Sequence, residues 1–298
     1  MGDGGLTFFA KGAIMGASEK QKKEKGMNKF LEWIESGRIM MAAHRGMKDC
    51  GPENTLPAFR YAISLGADGI ETDLHQTKDG EIVMMHDLLV DRTTDGSGRT
   101  CDMTLEELRR LDAGVKFGEE YRGTRIPTFT EFLDLVEPYG ELLLNLEIKD
   151  YPEELGDFAY ATVDKIVAMV EERGMGDRVM FNCFSWQILK YLHENYPTYP
   201  LHGFYPESLM KEPRENVYPY LTYVCLFALK RADGTREPLC SAEDFRIVKE
   251  ELGCEPCVCF PVDTPELMRG AIERGVTMFT CNDPKRAIEI LRELGVRR

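Results

Sequence analysis

Residues 39–55 read IMMAAHRGMKDCGPENT, and after a helix-like run at 56–65 residues 66–87 read GADGIETDLHQTKDGEIVMMHD. Three β-prone runs lie in these two stretches, at 39–43, 69–73 and 81–85. The first stops at His44 and Arg45, the second carries Glu71 and Asp73 at its end, and the third stops at His86 and Asp87. Apolar strands that turn polar only at their C-terminal ends gather their polar groups at one end of a sheet, which is how a β/α barrel builds its working mouth.

Comparable runs recur at 142–147, 179–183, 201–205, 223–227, 257–260 and 276–280. Helix-like segments lie between them at 56–65, 128–136, 153–172, 186–194, 265–274 and 284–294. Strand then helix, repeated about eight times, predicts an α/β fold, a (β/α)8 TIM barrel. Nine strands are one more than the barrel needs, and the surplus is expected in 201–227. A doubly wound open sheet is the weaker alternative, because no Gly-rich phosphate fingerprint follows the first strand. The connection at about 88–126, with DRTTDGSGRT and TLEELRRLDAGVKFG around it, is too long and too patterned for a turn. It is expected to form a small insertion after the third strand, on the active-site face.

The chain has 298 residues, 43% hydrophobic, with a formal net charge of -14. That balance argues against a nucleic-acid or anionic-membrane partner, which would need clustered Lys and Arg. A small anionic substrate remains compatible if the positive charge is local. Nine cysteines at irregular spacing read as reduced thiols in a cytoplasmic protein. Cys254, Cys257 and Cys259 resemble part of a zinc site but lack a fourth ligand nearby, and read as a small apolar strand. Residues 1–26 have no basic start and no 18-residue apolar run, so they read as an N-terminal extension and neither as a signal peptide nor as a membrane span. Residues 27–298 are expected to form a single barrel domain without stable membrane insertion.

Side chains alternate across a strand, so Glu71 and Asp73 share a face, as do Glu147 and Lys149 in LLLNLEIK. If both faces look into the mouth, three carboxylates converge there. Such a cluster is unfavourable by several kcal/mol unless a cation or shifted protons compensate. Hard oxygen ligands point to one divalent cation, Mg²⁺ or Ca²⁺. His44 and His86 flank the strand with Glu71 and Asp73 and suit general acid and base work. Arg45 and Lys149 supply the positive charge that a phosphoryl group needs. His75 reads as peripheral, and His193 and His202 as structural or surface residues. Phe184, Trp186 and Phe260 are candidates for the pocket border.

The ordered set HRG, PENT, GADGIETDLHQTKDGEIVMMHD, RTTDGSG, TLEEL, LDAG, IPTFTEFL and NLEIK resembles the glycerophosphodiester phosphodiesterase family. The strong match runs from 39 to 149. The resemblance implies a metal-dependent barrel enzyme that hydrolyses small glycerophosphodiesters to sn-glycerol 3-phosphate and an alcohol. It implies His44 and His86 as the catalytic pair and Glu71, Asp73 and Glu147 as metal ligands. Arg45 and Lys149 take the phosphate contacts, with Glu53 and Asn54 as their support. Related barrel phosphodiesterases imply attack by the neighbouring glycerol hydroxyl and a cyclic phosphate that water opens. The last third departs from the family pattern, with Phe260 to Asp263 where a Trp-Thr-Val-Asn stretch is usual, and Cys281-Asn282 where Thr-Asp is usual. Two other readings stay open: a lysophospholipase D or other lipid phosphodiesterase, and a phosphate-ligand binding protein without turnover.

Overall fold

A computed structural model describes residues 27–212, 215–227, 239–259 and 264–297. The expected extension at 1–26 and the departure at 260–263, with Phe260, lie outside the described residues. Nine strands form in chain order: β1 (Met40–His44), β2 (Gly69–Gln76), β3 (Ile82–Met84), β4 (Leu143–Ile148), β5 (Val179–Asn182), β6 (Leu201–Tyr205), β7 (Tyr223–Leu226), β8 (Glu255–Cys259) and β9 (Met278–Cys281). Eight of them, all but β3, pair in parallel, and β1 closes the ring by pairing with both β2 and β9. This is the TIM barrel that the sequence predicts.

The surplus strand is not where the sequence places it. Both strands at 201–227 are barrel staves, and the ninth strand is β3, which runs antiparallel to β2 with Leu74 opposite Met84 and His75 opposite Val83. Three apolar residues can pair in either direction; the tight connection Thr77–Gly80, with Gly80 at φ +88°, folds β3 back on its neighbour. The chain from 88 to 126 therefore follows a hairpin strand outside the ring. It packs Val90, Leu108, Ala113 and Ile126 over Val83 and Met85 as a small satellite core.

The helices are α1 (Lys29–Ser36), α2 (Leu56–Ser64), α3 (Leu105–Leu108), α4 (Phe129–Val136), α5 (Pro152–Leu155), α6 (Asp157–Glu172), α7 (Trp186–Asn195), α8 (Ala242–Arg246), α9 (Pro265–Glu273) and α10 (Pro284–Glu293). Their starts are written locally. Thr55, Thr128, Thr264 and Asp283 cap α2, α4, α9 and α10 by accepting backbone N–H bonds, and prolines occupy the first turns of α2, α9 and α10. Gly156, at φ +58°, divides the single helix expected at 153–172 into α5 and α6. Helix α1 closes the opposite end of the barrel, where Asn28 donates to the carbonyls of Gly176 and Val179 and Phe30 meets Tyr223 edge-on.

Candidate active site

Register places the site residues in rows. His44 is level with Glu71, and Asp73 is level with Glu147, which is level with Asn182. In a parallel sheet, directly paired residues point to the same face, so these side chains meet inside the C-terminal mouth. His44, Glu71, Glu147 and Asn182 line a cavity of about 160 Å³ together with Arg45, His86 and Lys149, and the fully buried Asp73 stands behind that wall against Arg45 and Lys149. A wider cleft of about 770 Å³ lies at the other end of the barrel, against Trp33 and Tyr139, and holds none of the candidate residues.

The turn after β1 explains the HRG spelling. Arg45 and Gly46 both have positive φ, +51° and +83°, and a Cβ on Gly46 would lie 2.7 Å from the backbone of Ala58 in α2. Only glycine fits there. The strained Arg45 is clamped instead: its Nη1 donates to Glu53 at 2.7 Å, its Nε lies 3.1 Å from Asp73, and its carbonyl accepts from the Asn54 amide at 3.0 Å. Asn54, also at positive φ, donates to Asp73 Oδ2 at 2.8 Å and accepts from Thr72 at 2.8 Å. Glu53 and Asn54 thus sit beside the first strand as the resemblance implies.

Glu71, Asp73 and Glu147 are buried and bring one oxygen each within 4.8 Å of one another. The ammonium of Lys149 pairs with Glu147 and lies 3.2 Å from Asp73 Oδ1. Burial pushes the Glu71 carboxyl well above its usual range, and the charges of Asp73 and Glu147 push it further. Burial acts the same way on Asp73, but Lys149 and Arg45 outweigh it and hold that carboxyl well below the usual range. Lys149 is likewise buried, and its two carboxylate partners raise its pKa against the cost of burial.

Three observations fit this cluster to a hard cation. Glu71 Oε2 is buried with no hydrogen bond among the described residues, and Asp73 Oδ1, although the Lys149 ammonium lies 3.2 Å away, is not engaged in a well-aligned hydrogen bond either. Five carboxyl groups, Glu53, Glu71, Asp73, Asp87 and Glu147, gather around three cationic side chains, Arg45, Arg92 and Lys149. All three converging donors are carboxylate oxygens, the ligand type of Mg²⁺ and Ca²⁺.

The two histidines are held differently. His44 is buried; its Nδ1 lies 2.5 Å from Asn282 Oδ1, which leaves Nε2 facing Glu71 at 3.7 Å. Burial, aided by Arg45, lowers its pKa to about 3, so the ring is neutral. His86 is half-exposed at the mouth, and its Nδ1 lies 2.5 Å from Asp87 Oδ1. Asp87 is gripped in turn by Arg92, whose guanidinium also donates to both oxygens of Glu53 at 2.7 and 2.9 Å.

Of the residues proposed from the sequence, His44, Arg45, Glu71, His86, Glu147 and Lys149 line the cavity, while Asp73, Glu53 and Asn54 stand behind it in contact with Arg45 or with one another. His75 does not face the cavity: its Nδ1 pairs with Asp150 at 2.6 Å. His193 stacks on Tyr220. Of the two readings for His202 the structural one holds: it is buried inside the barrel, where its ring also lines the cavity. Phe184 borders the cavity as expected, stacked on Phe204 at 3.7 Å with Phe227 beyond, whereas Trp186 stands outside it. Sequence reasoning missed Arg92, Asn182 and the positioning contact of Asn282. Arg92 stands inside the quoted RTTDGSG stretch and was the one with a signal.

The model of the glycerophosphoryl diester phosphodiesterase family matches residues 44–286. The glycerophosphodiester phosphodiesterase of Caldanaerobacter subterraneus subsp. tengcongensis is 35% identical over 264 residues, covering 87% of this chain and 100% of that protein. The glycerophosphodiester phosphodiesterase of Bacillus altitudinis is 30% identical, covering 85% and 98%. An Oleispira antarctica phosphodiesterase, solved in complex with the product sn-glycerol-3-phosphate, shares the fold with a TM-score of 0.70 at 24% identity, covering 87% and 98% of the two chains. The chain is an enzyme of the glycerophosphoryl diester phosphodiesterase family.

Proposed function

We propose that the protein hydrolyses glycerophosphodiesters to sn-glycerol 3-phosphate and an alcohol, in a metal-dependent reaction with His44 and His86 as base and acid. The observation that carries this reading is the gathering of His44, His86, Glu71, Glu147, Arg45 and Lys149 around one small cavity, with Asp73 within 4.8 Å of the other two carboxylates. Glu71, Asp73 and Glu147 would hold one Mg²⁺ or Ca²⁺. A cation there supplies a Lewis acid for a phosphate oxygen.

Arg45 and Lys149 take the remaining charge of the phosphoryl group, and both are already oriented by carboxylates on the same wall. His44, neutral and deep in the cavity, keeps Nε2 as a proton acceptor because Nδ1–H is donated to Asn282. It takes the proton of the attacking hydroxyl. His86, near solvent, has its ring direction fixed by Asp87, and the alcohol departs toward solvent past it. It protonates that alcohol.

Release of glycerol 3-phosphate from the choline and ethanolamine esters of glycerophosphate, before and after chelation, tests the reading. Activity lost with chelator and restored by Mg²⁺ or Ca²⁺ supports it; activity indifferent to chelation refutes metal dependence. A second reading, cleavage of lysophospholipids, is favoured by the apolar wall of Phe184, Phe204 and Phe227, which suits an acyl chain as well as glycerol carbons. A lysophosphatidylcholine arm of the assay decides it. No helix among the described residues is long and apolar enough to cross a membrane. The nine free thiols are the basis for assigning the enzyme to the cytoplasm.

A further inference from the structure

The sequence grouping Cys254, Cys257 and Cys259 does not hold together in space. Cys254 turns away, with its thiol against the carbonyls of Tyr218 and Leu221. Cys257 and Cys259 share the inner face of β8, and two further soft donors reach them from other strands. Cys225 of β7 is the direct register partner of Cys257, and its sulfur is 2.9 Å from that of Cys259. His202 of β6 points its Nε2 at Cys257 Sγ, 3.4 Å away. One ligand atom each from His202, Cys225 and Cys257 falls within 4.8 Å of the other two.

We propose that His202, Cys225 and Cys257, with Cys259 beside them, form a binding site for a soft divalent cation of the zinc class in the inner wall of the barrel. Two ligands at a tetrahedral angle on zinc, with bonds of about 2.3 Å to sulfur and about 2.0 Å to nitrogen, stand roughly 3.6 Å apart. The His202–Cys257 separation is already close to that. Charge agrees: loss of one proton each from Cys225 and Cys257 gives two thiolates, which neutralise a divalent ion in a site where an uncompensated charge would be costly. His202 is kept neutral by burial and needs no deprotonation to ligate. The Asn145 Nδ2 group faces His202 Nδ1 at 3.2 Å; ligation through Nε2 puts the ring proton on Nδ1, so the Asn145 amide turns over to accept it and in exchange donates to Asn182 Oδ1, which is buried without a partner among the described residues. His202 and Cys259 also line the cavity that holds the carboxylates, so a cation can enter from the mouth. The barrel then carries two cation sites of opposite preference, oxygen donors on β2 and β4 and sulfur donors on β7 and β8.

The experiment titrates the reduced, metal-free full-length enzyme with Cd²⁺ and with Co²⁺. It follows thiolate-to-metal charge transfer in the ultraviolet and counts the protons released. One thiolate-bound ion per chain is expected, with a charge-transfer band that is unchanged in Glu71→Gln, where two protons are released per thiolate-bound ion, and abolished in the Cys225→Ser/Cys257→Ser double variant. Because that variant removes two core thiols, His202→Asn is titrated in parallel. It keeps both sulfurs and should weaken binding by more than the roughly 10–100-fold typical of outer partners. Absence of charge transfer in the reduced wild type overturns the site, as does a band that survives in the double variant. A covalent Cys225–Cys259 link found in the enzyme as isolated, with no metal uptake after reduction, also overturns it.

Discussion

Arg92 donates to Asp87 through Nε and to Glu53 through both terminal nitrogens, so one guanidinium joins the partner of His86 to the partner of Arg45. The insertion thereby reaches both sides of the cavity.

This relationship predicts a variant that loses more rate than stability. The Arg92 side chain is 47% exposed, and exposed ion pairs contribute only about 0–1 kcal/mol. Its effect on orientation is larger, because outer partners of a functional imidazole typically carry about 10–100-fold. Arg92→Ala should lower kcat by roughly that factor and give up the share of the Glu53 stabilisation that Arg92 supplies, and Arg92→Lys should recover little, since an ammonium cannot span both carboxylates. Wild-type kcat in Arg92→Ala would show that Asp87 and Glu53 hold their positions unaided.

Glu53 gives a pH-dependent stability. Burial alone would raise its pKa, but Arg92 and Arg45 overcome that and lower it from 4.5 to about 2. A depressed carboxyl stabilises the fold above its unfolded pKa and loses that contribution as pH falls toward the folded one. Wild type should therefore exceed Glu53→Gln in unfolding free energy by up to roughly 3 kcal/mol at neutral pH. The gap should close between pH 4.5 and about 2. Urea unfolding of both proteins across that window measures it, and a gap independent of pH would mean that Glu53 acts by shape alone.

The barrel and most of its mouth were legible because each depends on a period. Alternation put Glu71 with Asp73 and Glu147 with Lys149, and parallel register then aligned Asp73 with Glu147. Strand direction has no such signature, so β3, three buried residues long, reads like any barrel strand. The surroundings of His202 were hidden for a related reason: LHGFY contains none of its partners, and Asn145 and Cys257 lie 57 and 55 positions away. Arg92 to Glu53 is a contact across 39 positions between two loops, which no local pattern encodes.

Gly46 supplies a test of the turn that aims His44 and Arg45. Alanine there must adopt φ +83° and place its Cβ 2.7 to 2.9 Å from three atoms of Ala58, which sits in a helix and cannot swing aside. The conformational cost alone is about 1–2 kcal/mol, and the clash adds to it. Gly46→Ala should shift the urea midpoint downward and reduce kcat together, because α2 and the β1 turn move apart. A variant with an unchanged midpoint would mean that the turn has more room than the structure gives it.

The division of labour between the histidines predicts an asymmetry with leaving group. An alkoxide such as choline needs a proton as it departs, whereas nitrophenolate does not, so loss of the acid is masked on an aryl ester and loss of the base is not. His86→Ala should fall by roughly 10²–10⁴ on glycerophosphocholine yet keep most of its rate on glycerophospho-p-nitrophenol. His44→Ala should fall by a similar factor on both. Asn282, whose Oδ1 accepts the hydrogen bond from His44 Nδ1–H, belongs to the same side of this asymmetry. Asn282→Leu should therefore lose activity on both esters alike, while Asp87→Asn, acting through His86, should lose it mainly on the choline ester. Rescue of His44→Ala by the aryl ester would reverse the two roles while leaving the pair itself in place.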